Sequence, residues 1–357
     1  MRAKLGLAAG LIVLGIGVWA GLIRMGWALP ALPTVPMAHG PLMIVGFLGA
    51  LISVERAVAL RRSWGYAGPA LAVLGALAWA VAGAPWGAWL ALGGSLALGA
   101  LYCIAAQQQR AWPVIVMGAG ALCWGVGNLL WALGSAFSQS TPWWAAFAIL
   151  TIVGERLELA RLQKLSGMSR ALFVLSIGVF FVGLVLALVR LELGVRTLAL
   201  GMVALAIWLV RYDIARRTVH QMGLVRYIAV SLLTGYVWLG VAGVLGMIWG
   251  GAVAGPFYDA VWHALFVGFV FSMIFGHAPV IFPALLKARI PFSMSFYAPL
   301  GLLHLSLMLR IFGDLLLWLP GRQWGGLLNA LAILLFFGTV AHAALRDLLS
   351  RPRSRPQ

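Results

Sequence analysis

Apolar residues in this chain come in blocks of about twenty, separated by short stretches that hold most of the arginines and several of the prolines. A helix that crosses a bilayer needs about 20 mostly apolar residues. Blocks of that kind lie at 5–24, 39–60, 65–83, 86–106, 112–134, 142–162, 170–189, 192–211, 224–250, 257–285, 293–318 and 324–346. The pattern predicts an all-α polytopic membrane bundle of about twelve transmembrane helices, one transmembrane domain over 1–357. Prolines mark the joins: Pro30, Pro33 and Pro36 before the second block, Pro85 between the third and fourth, and Pro320 before the last. The first block is longer than the apolar region of a secretory leader, and no small-residue cleavage site follows, so it is read as the first helix.

Positive charge tests this division, because Lys and Arg collect in cytoplasmic loops. One set of alternate loops receives Arg2 and Lys4; Arg61 and Arg62; Arg110; Arg161, Lys164 and Arg170; Arg211, Arg216, Arg217 and Arg226; Lys287 and Arg289; and Arg346, Arg351, Arg353 and Arg355. That is 18 of the 25 basic residues, whereas the opposite loops hold only Arg24, Arg190, Arg196 and Arg322. The alternation predicts that both termini are cytoplasmic, in a bacterial inner membrane, with 347–357 as a basic cytoplasmic tail.

Composition agrees. Hydrophobic residues make up 63% of the 357 and charged residues 9%, far below the roughly one quarter that a soluble domain uses to cover its surface. The surplus must face lipid. A net charge of +17 would otherwise suggest nucleic acid, but the charge is dispersed among loops, which excludes that reading. Cys103 and Cys123 lie inside apolar blocks at no disulfide or zinc spacing.

Two of the blocks end alike, with Val54-Glu55-Arg56 in the second and Gly154-Glu155-Arg156 in the sixth, 100 residues apart. The tenth resembles the second: His39 precedes Gly46-Phe47-Leu48-Gly49, and His263 precedes Gly268-Phe269-Val270-Phe271. Blocks four apart run in one direction, so three four-helix repeats are expected, at about 1–110, 111–217 and 218–346.

Ionisable side chains inside a membrane are costly and are functional candidates by default. His39 and His263 begin inward-running helices and should lie at similar depth, where two neutral imidazoles can ligate one haem iron axially. His277 follows His263 by 14 residues, about 21 Å along a helix and on nearly the same face. His304 falls near mid-membrane. Arg310 and Arg322 are candidate holders of haem propionates, with Asp314 a competing partner for Arg310. Glu55-Arg56 and Glu155-Arg156 suit cross-paired ion pairs that clasp the two helices, since neighbours in sequence do not face one another on a helix. His220 reads as a loop residue, His342 as interfacial, and tryptophans such as Trp143, Trp144 and Trp262 as an interfacial belt.

Trp262-His263-Ala264, Gly276-His277 and the segment His304 to Arg310 resemble the NnrS family, bacterial membrane proteins associated with haem, copper and the response to nitric oxide. The resemblance is clearest over 226–318. Helix count and repeat also resemble the catalytic subunit of haem-copper oxidases, whose second and tenth helices carry the ligands of the low-spin haem. The resemblance implies haem b on His39 and His263, with His277 and His304 as candidates for a second haem or a copper ion. It departs where NnrS proteins place an acidic residue after the early histidine, here Gly40-Pro41, and in the polar residues before Gly-His, here Ser272-Met273-Ile274-Phe275. The sixth and seventh blocks have no histidine, so an oxidase copper site is not expected. The function so implied is electron transfer, redox sensing or nitric oxide defence, with a redox protein or quinone as partner. Alternatives are a secondary transporter using Glu55, Glu155 and His304, and an assembly or scaffold protein.

Overall fold

The computed structural model describes residues 2–30, 32–160, 166–286 and 290–350. Arg161, Lys164, Lys287, Arg289, Arg351, Arg353 and Arg355 lie outside the described residues. Those described form twelve long helices and no strand. The helices are α1 Arg2–Arg24, α2 Pro41–Ala59, α3 Ser63–Ala82, α4 Trp86–Gln108, α5 Trp112–Ala132, α6 Phe137–Ala160, α7 Gly167–Val189, α8 Leu191–Tyr212, α9 Gly223–Trp249, α10 Gly255–Pro283, α11 Met294–Leu315 and α12 Leu319–Asp347.

Eleven of them are long and apolar enough to cross a membrane. Helix α6 is long enough, with 24 residues or about 36 Å, but it is more polar at both ends. It does not need lipid. Every residue from Ser140 to Gly154 is buried, so α6 runs through the middle of the bundle with protein on all sides. The outer helices show the reverse. Leu96, Leu122, Ile207 and Leu305 are 63–69% exposed, which suits hydrocarbon and not water.

Helices that follow one another pack together: α3 to α6 in series, α7 to α9 likewise, and α11 with α12. Apolar surface gains nothing by leaving lipid for another apolar surface, so contact depends on close backbone approach. At the α3–α4 crossing the two bare glycines Gly75 and Gly87 meet, where a Cβ on either would strike the other's carbonyl. Between α7 and α8 the approach is as close, since a Cβ on Gly183 would strike the Leu198 backbone and one on Gly194 the Ala187 backbone. A continuous apolar core runs from Leu7 to Ala343.

Two helices depart from α geometry. Residues Pro41–Gly49 of α2 and Ala264–Val270 of α10 form wide π-helical turns, a feature concentrated at functional sites. Each stretch begins within two residues of a histidine. Pro320, expected to precede the last helix, lies inside its first turn, where its missing N–H would have had no partner anyway.

Candidate functional site

The wide turns of α2 and α10 present their histidines to each other. The ring centroids of His39 and His263 are 6.0 Å apart and the planes differ by 11°. Each ring is anchored on one nitrogen. His39 Nδ1 donates to the Gly17 carbonyl of α1 at 2.8 Å, and His263 Nδ1 donates to the Asp259 carbonyl one turn earlier, also at 2.8 Å. A carbonyl can only accept, so in both neutral imidazoles the proton is on Nδ1 and the Nε2 lone pair is free. The His39 ring rests on Gly21, where a Cβ would come within 2.8 Å of its Cε1. Eight residues beyond each histidine, Phe47 and Phe271 form a second parallel pair, 5.9 Å apart.

Both imidazoles line a cavity of about 420 Å³. Its walls are apolar, including Phe47, Val267, Phe271 and Ile274, and its charged lining consists of Arg24, Asp259 and Arg310. Arg310 is buried and its Nε has no protein partner. Arg322 does not line this cavity. It binds Asp259 at 3.1 Å and also Asp314, while Arg310 lies 3.9 Å from Asp259. The expected competition of Asp314 for Arg310 is thus resolved differently, because Arg322 from the start of α12 reaches Asp314 first.

These residues fit a haem. A metal bonded to both Nε2 atoms at about 2.0–2.1 Å would set the ring centroids roughly 6–6.5 Å apart. Fixed Nδ1 protons are the usual way a protein orients imidazole ligands. Arg24 and Arg310 supply cations for two carboxylates, and the aliphatic and phenyl walls suit a flat apolar ring.

A smaller cavity of about 60 Å³ lies next to the first, with Leu48, Val270 and Ile274 lining both. Glu55 from α2, Glu155 and Thr151 from α6, and His277 from α10 face it. His277 Nδ1 donates to the Met273 carbonyl at 2.7 Å. His304 is elsewhere. It lines neither cavity, and Trp238 Nε1 donates to its Nδ1 at 3.0 Å. An indole is only a donor, so the His304 proton is on Nε2. His277 and His304 therefore do not share a site, and among the described residues no group of three or more His, Cys, Asp or Glu is arranged to hold a metal.

The clasp expected between Glu55-Arg56 and Glu155-Arg156 is not formed. Arg156 instead makes a two-pronged pair with Asp213 at the end of α8, at 2.8 and 3.0 Å. Asp213 also accepts the Ala215 amide at 2.7 Å. Arg56 lies over the Tyr102 ring, 5.0 Å from its centroid, and reaches the Met117 sulfur at 3.5 Å. Asp213 lies outside the apolar blocks of the sequence, and only the fold brings it to α6. Arg24 and Asp259 carried weak signals: one of few cations on its side, and a carboxylate one turn before a candidate histidine.

The fold defines a class, polytopic all-α membrane proteins. Within it, the chain belongs to the family described as "Domain of unknown function (DUF8744)", which matches residues 2–345. No curated protein and no solved structure matches.

Proposed function

We propose that this protein binds haem b through His39 and His263 and serves one-electron chemistry in the membrane, in the manner of the NnrS family. The observation that carries the reading is the parallel imidazole pair, 6.0 Å between centroids, with both Nδ1 atoms committed to backbone carbonyls. His39 and His263 would hold the iron, and the group would supply one-electron transfer or redox sensing there. The Asp259 and Gly17 carbonyls fix the rings of His263 and His39, and Arg24 and Arg310 would bind the propionates. Wide turns after both histidines, and the matching Phe47 and Phe271, support the correspondence of α2 and α10 that the repeat implies. A second metal at His277 and His304 forms no part of the reading.

The charge bias of the loops supports a reading with the histidine end of the bundle on the outer side of a bacterial cytoplasmic membrane and both termini inside. The electron partner, a redox protein or a quinone, would approach from that end. The purified protein is expected to be coloured and to show a Soret band. His39→Ala and His263→Ala should each abolish it while the protein still elutes as a single folded species. A colourless wild-type preparation from haem-replete cells overturns the reading.

A further inference from the structure

We infer that Glu55 and Glu155 form a proton-binding site that neutralises the charge of the histidine-bound centre above it. The inference rests on the haem reading of the upper cavity. Two carboxylates from different helices face a space of about 60 Å³, room for little more than a proton carrier or a water or two. Among the described residues neither forms an ion pair. Two like charges in a dry site do not both ionise readily, and a shared proton is the ordinary remedy.

Arg56 on α2 bears on both carboxylates. Arg156 and Glu158 on α6 act on Glu155, but Arg156 is spent on Asp213. His277 on α10 faces the same cavity. Tyr102 on α4 lies beside Arg56, and its hydroxyl and Arg56 Nε are buried without protein partners. Tyr236 on α9 interacts with Arg156 and Asp213. One nearby guanidinium is therefore left to serve two carboxylates, and a single proton completes the balance.

The position makes this a redox device. Among the described residues, Leu48, Val270 and Ile274 are the ones lining both cavities, so one layer of side chains divides them. Charge added to one cavity is felt in the other, because screening across a dry layer is weak. With one proton already shared, the pair still has one carboxylate free to protonate, and it would take this second proton from the aqueous phase for each electron that an external one-electron donor supplied to a centre held by the histidines. Oxidation returns both, and no net charge stays in the membrane.

Two measurements test this. The infrared spectrum of the protein at neutral pH should contain a protonated carboxylic C=O band that Glu55→Gln or Glu155→Gln removes. The midpoint potential of the wild type should fall with pH, approaching the 59 mV that corresponds to a tenfold change in proton concentration for a one-electron couple. The double variant should lose most of that slope and keep its Soret band, which also reports its folding. A coloured wild type whose potential ignores pH, or a double variant with an unchanged slope, overturns this inference and leaves the haem reading intact. Absence of the Soret band overturns the haem reading and the coupling with it.

Discussion

Gly21 has no side chain, and the imidazole of His39 occupies the space that one would fill. The ring is held from below by that notch and from the side by the Gly17 carbonyl, so α1 sets the orientation of the imidazole. Valine at 21 would drive the ring off its carbonyl. Gly21→Val is expected to lower haem occupancy several-fold, read from the ratio of Soret to protein absorbance, whereas Gly15→Val is not, since nothing lies within 4 Å of that position. The Arg156–Asp213 pair acts at the same scale but on stability. Both side chains are 2–3% exposed, and removing one partner leaves a buried charge uncompensated. Asp213→Ala should cost about 3–5 kcal/mol, seen as a lowered midpoint of thermal unfolding in detergent. A joint change of Arg156 to Met and Asp213 to Leu should recover most of the loss, because an apolar pair replaces the ionic one without a stranded charge.

Among the elements, α2 and α10 follow one design. In each, a π-helical stretch begins within two residues of a histidine and a phenylalanine follows that histidine by eight residues, and the rings of each pair lie parallel, 6.0 and 5.9 Å apart. The wide turns are invisible in the sequence, since Ala264–Val270 contains no residue that demands one. The helices themselves were legible, because a bilayer imposes a length and a polarity that glycine and proline punctuate. The histidines stood out as candidates for the same reason: an ionisable group is conspicuous among leucines. Their helpers did not stand out. Arg24, Asp259 and Asp213 acquire their roles from neighbours far away in the chain, and no local spacing encodes that. The Glu-Arg doublets misled for a related reason. Adjacent residues point about 100° apart, and a third helix, α8, intervened with an aspartate that satisfied Arg156 alone.

At the scale of the whole molecule, lipid-facing helices surround a central helix, α6, that carries polar residues at both ends. Exposed leucines on α4, α5 and α11 meet hydrocarbon, while α6, with Ser138, Gln139, Ser140 and Thr141 near one end and Glu155, Arg156 and Glu158 near the other, is sheathed in protein from Ser140 to Gly154. This arrangement constrains how the chain is made. A segment too polar to partition on its own has to enter the bilayer beside a companion. The companion is α5, which adjoins α6 and is the helix it packs against most extensively. Trp144 of α6 donates to Asn128 of α5 at 3.0 Å, and Asn128 in turn donates to the Ala91 carbonyl of α4. In a cell-free insertion assay with glycosylation reporters, α6 alone should stay largely outside the membrane. Joined to α5 it should enter as a hairpin, and Asn128→Asp should impair that entry. Biogenesis of the central helix is thus a cooperative event, and faults in α5 should be felt first in the yield of membrane-inserted chains.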